Sequence, residues 1–220
     1  SAGARPGRRI AIGLLWHSCN SENLGVGALT VSHLAILDEA AVALGVTPRY
    51  IAIGSADSGA TYVDRPDVEI IALRNKDFLN PSGLWATLRR CDLVLDIGGG
   101  DSFADIYGRR RLIWMFASKA MAMAAGKKLV LSPQTIGPFE KPFNQRIAAK
   151  LMNRAALTVT RDALSTAYLD QLGMTGRRME ATDVALRLPY ERSAPRAEDG
   201  KVRVGINVSG LLFNGGYTRS

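Results

Sequence analysis

Leu93-Val-Leu-Asp-Ile97 runs straight into Gly98-Gly-Gly-Asp-Ser102; beyond Arg109-Arg-Arg111 comes the apolar run Leu112–Ala125, then Gly126 and Lys128-Leu-Val-Leu131. A short run that is apolar on successive residues, and hence on both faces, is a strand covered on both sides. The longer run has helical length and ends at a glycine, a residue suited to closing a helix. Strand, glycine turn, helix and strand in this order describe a parallel crossover.

The same alternation extends in both directions. Ile10–Trp16, Tyr50–Ile53, Val68–Leu73 and Leu157–Thr160 read as buried strands, with a further strand ending near Met179–Thr182. Leu29–Leu44 carries apolar residues at helical spacing up to Gly45, Pro81 opens a short helix through Leu84, Trp85 and Leu88, and Pro142–Ala156 and Ala163–Leu172 are helical. Strands apolar on both faces that alternate with helices predict an α/β fold, a doubly wound parallel sheet of Rossmann-like type. The expected organisation is a disordered basic lead over 1–9, a Rossmann-like domain over 10–188 and a linker over 189–200. Residues 201–220 then read as the first strand and loop of a truncated second domain, because one strand with no covering helix cannot bury its faces.

Composition narrows the class. Of 220 residues, 47% are hydrophobic and 22% charged, which excludes wholesale disorder. The 28 Lys and Arg against 20 Asp and Glu leave a net charge of +8, and the excess favours an anionic partner. Cys19 and Cys91 lack zinc or disulfide spacing, and His17 and His33 are too few for a histidine metal cluster; no metal site is expected. The longest apolar run, taken as Leu112–Ala125, is interrupted by Lys119 and is too short to span a bilayer. A reduced, cytoplasmic protein with no transmembrane segment follows as the expectation.

In an open parallel sheet, ligands bind beyond the carboxyl ends of the strands. Polar and glycine-rich clusters follow the expected strands at those places: His17–Gly27, Gly98–Ser102, Ser132–Pro138, Arg161-Asp162 and Asp183. The first loop sets Asn23, Gly25 and Gly27 before a helix, whose N–H groups attract anions. It is not GxGxxG, and no acidic residue closes the second strand, so a nicotinamide cofactor is disfavoured. Gly98, Gly99 and Gly100 permit close backbone approach to a ligand or make a tight turn. Asp101 suits either proton transfer and sugar-hydroxyl orientation or a capping role. Arg161 has the fork geometry for phosphate or carboxylate, or for an ion pair with Asp162 or Asp183. Asp162 can cap the next helix, with Ser165 three residues on. Arg109–Arg111 precede an apolar helix where its dipole disfavours cations, which fits an anionic partner or a solvated charge run. His17 is either a general acid or a structural histidine.

The succession Asn23-Leu-Gly25, Asp96-Ile-Gly98-Gly-Gly-Asp101, Pro133-Gln134-Thr-Ile136-Gly137-Pro138-Phe139, Arg161-Asp162-Ala-Leu-Ser165 and Thr182-Asp183-Val-Ala185 resembles the polysaccharide pyruvyl transferase family. Val26 stands where the family's first motif often has an acidic residue. The resemblance implies the first half of a two-domain, GT-B-like arrangement. It also implies transfer of the pyruvyl group of phosphoenolpyruvate, a donor substrate rather than a cofactor, onto two hydroxyls of a sugar or lipid-linked glycan as a ketal. Arg161 would take the donor's anionic groups. Asp101 and the three glycines would face the acceptor or the cleft floor, Ser102 would bind substrate, and Gln134 and Asp183 would hold the polar shell. Part of the site would come from the second domain. Peripheral membrane contact is compatible with such an acceptor, and nucleic acid is not an expected partner. The alternatives are a GT-B nucleotide-sugar glycosyltransferase and a non-catalytic glycan-binding relative.

Overall fold

A computed structural model describes residues 8–55, 57–192 and 204–206. Among them, seven strands form one sheet: β1 (Arg8–Leu15), β2 (Val46–Ser55), β3 (Val68–Leu73), β4 (Leu93–Asp96), β5 (Lys128–Gln134), β6 (Leu157–Thr160) and β7 (Arg178–Glu180). Their order is β3-β2-β1-β4-β5-β6-β7 and every neighbouring pair is parallel. The fold is the doubly wound, Rossmann-like α/β sheet that the alternating pattern predicts. From β1 the chain builds outward through β2 and β3, then returns to β4 and builds the other way. The reversal between β1 and β4 opens a crevice at their carboxyl ends.

The pleat explains why the strands are apolar on successive residues. Leu15, Ile51, Ile53 and Val94 enter one core, with Leu88 and Met115. Their sequence neighbours Leu14, Tyr50, Ala52 and Leu95 enter the other, with Leu34. Side chains alternate across a strand, so covering both faces requires apolar residues at both parities. Each fully buried Leu, Ile or Val among them contributes about 1.5–3 kcal/mol.

Helix α1 (Leu24–Leu44) begins earlier than its apolar pattern, because the Asn23 side chain accepts from the Gly25 N–H at 3.0 Å and caps it. Gly25 and Gly27 weaken the helical signal of that first turn. Packing accounts for Gly27: a methyl there would stand 2.9 Å from the Tyr62 ring. By length and composition α1, rather than Leu112–Ala125, is the helix apolar enough to cross a membrane. It joins the paired strands β1 and β2, and buries Leu29, His33, Leu34 and Ala41. That places it in the covering layer of the sheet.

The remaining helices are α2 (Ala86–Arg89), α3 (Arg109–Ala124), α4 (Pro142–Arg154) and α5 (Ala163–Gln171). The chain divides into a compact unit Ser1–Leu188 and a second unit Pro189–Ser220. Strand β1 takes in Arg8 and Arg9, which the sequence pattern assigns to the basic lead. Residues 193–203 and 207–220 are outside the described residues, and with them most of the expected linker and the strand over Val202–Val208. The three described residues of that strand, Val204–Ile206, are irregular.

Candidate functional site

The loops after β4, β5 and β6, with the segment after β7, meet at one edge and are bonded to one another. Arg161 Nε donates to Thr135 Oγ1 at 2.9 Å, and Arg161 Nη1 donates to Asp183 Oδ2 at 2.7 Å. Of the roles open to Arg161, the ion pair with Asp183 is realised. Asp183 also accepts from the Ala185 N–H, capping a short 3-10 turn over Val184–Arg187. Asp162 caps α5 through the Ser165 N–H at 2.7 Å and accepts from Thr135 Oγ1 at 3.3 Å. Burial opposes ionisation of Asp162, but the Ser165 bonds, the Thr135 hydroxyl and the Arg161 charge hold its carboxyl below the usual range. Ser165 is buried and its hydroxyl accepts from the Ile136 N–H, so it fixes the loop after β5.

The glycine turn rests on a buried ion pair. Gly98, Gly99 and Gly100 have φ of 56°, 60° and 93°, a left-handed path that other residues adopt only under strain. Asp96, at the end of β4, accepts from the Gly98 N–H at 2.8 Å and faces Lys119 Nζ at 2.9 Å; both side chains are fully buried. Lys119 also lies over the Phe103 ring at 4.2 Å. Burial pushes the Asp96 carboxyl up and the Lys119 ammonium down, while the attraction between them opposes both shifts. Gln134 donates to the carbonyls of Asp96 and Ser132, leaving its Oε1 buried without a partner. A methyl on Gly98 would stand 2.1 Å from that oxygen, and one on Gly100 would stand 3.4 Å from Arg161 Nη1. Gln134 and Arg161 therefore flank the turn. Asp101 is not a helix cap: its Oδ2 accepts from the Tyr107 hydroxyl at 2.6 Å.

Three expected contributors, His17, Asn23 and Gly25, lie on the β1–α1 segment. His17 is buried, with Nδ1 at 3.1 Å from the Leu15 carbonyl and Nε2 at 2.8 Å from His33 Nδ1. Burial, then the neighbouring imidazole, hold His17 well below its ordinary value, and burial lowers His33 to about 4. A buried histidine with both nitrogens engaged fits the structural role of the two the sequence left open. Asn23 accepts from the Gly25 N–H in the α1 cap, which engages both residues in the exposed loop end.

Three features escaped the sequence reading. Lys119 signalled only that the apolar run was interrupted, although a lone lysine in a buried helix calls for a buried acid. Arg111, from the charge run before α3, turns inward and donates to Ser102 Oγ at 2.8 Å. Beside it a cavity of about 410 Å³ opens at the ends of β1, β2 and β3, lined among others by Trp16, Arg74, Phe78, Arg110, Arg111 and Trp114. No group of three or more His, Cys, Asp or Glu able to hold a metal ion occurs among the described residues.

A family model for polysaccharide pyruvyl transferase matches residues 61–215. The chain belongs to the polysaccharide pyruvyl transferase family. Membership makes it a transferase of the pyruvyl transferase type, in polysaccharide biosynthesis, with a glycan as acceptor. The match takes in the glycine turn, Gln134, Arg161, Asp162 and Asp183, while His17, Asn23 and Gly25 precede it. No curated protein matches the chain. Among solved structures, the Bordetella bronchiseptica enzyme WbmH in complex with NAD+ is similar at 10% identity, over 80% of this chain and 75% of that one, with a TM-score of 0.32.

Proposed function

We propose that this pyruvyl transferase moves the enolpyruvyl carbons of phosphoenolpyruvate onto two hydroxyls of one sugar residue, forming a cyclic ketal and releasing phosphate. The observation that carries this reading is the convergence of four motif segments on one edge, with Arg161 and Gln134 flanking a side-chain-free glycine turn. Chemically, a proton adds to the methylene carbon of the donor and leaves a cationic centre at the carbon that bears the phosphate. One sugar hydroxyl attacks that carbon; the C–O bond to phosphate breaks, and the second hydroxyl closes the ring. Of the two hydroxyl protons displaced, one balances that of the new methyl group and the other leaves on phosphate.

Arg161 is the group for the donor's anionic end, with Asp183 setting its pose. Asp101, oriented by Tyr107, is the carboxylate for a sugar hydroxyl or the moving proton. The sheet edge forms one wall of a GT-B-like cleft in this reading. Cys19 and Cys91 are free, buried thiols raised to about 11, which fits a reducing, cytoplasmic setting.

Incubation with phosphoenolpyruvate and a panel of glycans tests the proposal. Phosphate release that depends on acceptor, with an acid-labile pyruvyl mass on the glycan, is expected. Consumption of a nucleotide sugar instead, or glycan binding with phosphoenolpyruvate untouched, overturns it. Arg161→Ala should lower turnover at least tenfold and weaken donor binding; unchanged donor kinetics would reduce Arg161 to its ion pair.

A further inference from the structure

Trp16 is the sole non-glycine residue with positive φ (61°) among the described residues. A bulky side chain costs about 1–3 kcal/mol in that conformation and persists only where its surroundings enforce it. Here the Trp16 N–H donates to the Ile53 carbonyl at 2.6 Å and the indole N–H to Ser118 Oγ at 2.9 Å. The ring is thereby turned off the end of β1 into an aromatic row. It stacks on Phe78 at 6.3 Å between centroids, and Phe78 meets Trp114 at 4.3 Å. These rings line the cavity at the ends of β1–β3.

The charge in that cavity is unbalanced. Arg74, Arg110 and Arg111 line it, no acidic residue does, and none of the three forms an ion pair among the described residues. Arg111 reaches Ser102 through Nη2 and lies 5.3 Å from the Tyr107 ring, yet its Nε is buried with no acceptor. Trp114 Nε1 is likewise a buried donor without an acceptor. An unmet buried donor costs about 1–3 kcal/mol, and these two lie beneath the lining of the cavity. The amino end of α3, which carries Arg110 and Arg111, adds the positive end of its dipole.

Flat indole and phenyl faces suit the apolar face of a sugar ring, and three uncompensated guanidinium groups suit a fixed anion. A volume of about 410 Å³ admits a monosaccharide with one anionic substituent. We propose that this cavity is the acceptor subsite, and that it binds a sugar residue carrying an anionic group, either a phosphate or a carboxylate. The proposal names the acceptor class of the transfer reaction and rests on that reading for its role. The Arg111–Ser102 bond ties the cavity to the glycine turn, so a sugar held here lies beside the donor edge.

Calorimetry on the protein without phosphoenolpyruvate tests the subsite apart from catalysis. The probes are glucose 1-phosphate and glucuronate for the two sources of anion, with glucose and inorganic phosphate as halves of the ligand. At least one anionic sugar should bind at least tenfold more tightly than either half, and the tighter of the two identifies the anion. Binding should perturb tryptophan emission. Arg74→Gln and Arg110→Gln, both at exposed positions, should each weaken binding about tenfold at an unchanged Tm. Trp114→Phe should weaken it severalfold. Phosphate binding as well as the sugar phosphates, phosphoenolpyruvate displacing them with equal affinity, or Gln variants that bind like the parent would each overturn the assignment. Failure of pyruvyl transfer alone would leave these binding results unchanged, so the two proposals fail separately.

Discussion

The two halves of the sheet differ in what their loops leave unsatisfied. On the β4–β7 side the charged groups answer one another: Arg161 with Asp183, Asp162 with Ser165, Asp96 with Lys119. Gln134 Oε1, which faces the glycine turn, and Thr158 Oγ1 are buried there without partners. On the β1–β3 side the cavity gathers three arginines with no carboxylate and two donors with no acceptor. A saturated edge is preorganised: its groups hold their geometry before a ligand arrives. An unsaturated cavity is completed by its ligand. Four of the five motif segments fall on the half that keeps its shape, and the residues lining the cavity belong to none of them.

The strongest way to break this contrast is to unsaturate the motif side. Lys119→Met leaves the Asp96 carboxylate buried without its partner, at an expected cost of about 3–5 kcal/mol. Urea unfolding should record that loss, and Asp96→Asn combined with Lys119→Met should recover much of it, because no lone charge then remains. A loss below 1 kcal/mol for the single variant would mean that Asp96 is neutral beside Lys119.

The other half has its own saturated point, the His17–His33 pair. Burial lowers His33 to about 4 from the ordinary 6.5. The folded state thus binds fewer protons than the unfolded one between these values. Stability is full above about pH 6.5 and falls as pH drops toward 4, by about 1.4 kcal/mol per unit and about 3 kcal/mol in all for this residue. His33→Gln should remove that share of the acid slope, read as the difference between variant and parent unfolding curves at pH 7 and pH 5. Parallel curves would mean that His33 titrates normally.

What the sequence made legible follows the same division. Strand runs such as Leu93–Asp96 and Leu157–Thr160 are local signals, since burial on both faces forces apolar residues at both parities. The motif loops were legible because their roles are short-range: Asp162 caps the helix that follows it, and the three glycines turn within themselves. Where partners lie far apart the reading failed. Asp96 with Lys119 and Trp16 with Phe78 and Trp114 meet only after the sheet is assembled, and no spacing rule links them. His17 had two roles open for the converse reason: a polar residue at a strand end is on a functional edge by position, yet here it faces His33 on α1. For Arg161 the sequence left an anion clamp and an ion pair open, and the ion pair with Asp183 forms only once the sheet edge is assembled.

That choice gives the smallest and most discriminating change. Asp183→Asn removes the negative charge from Arg161 while retaining an oxygen for the Ala185 N–H, since asparagine caps as well as aspartate. Both side chains are partly exposed, so the stability cost should stay below about 1 kcal/mol. If Arg161 reads the donor, freeing its guanidinium should tighten phosphoenolpyruvate binding severalfold at low salt, and the gain should fade as salt screens it. The motif edge would then behave like the cavity across the sheet, an unmatched cation seeking an anion. Equal affinity in parent and variant would show that the Asp183 pair is the whole role of Arg161, and the donor's anion would have to be held by other cations.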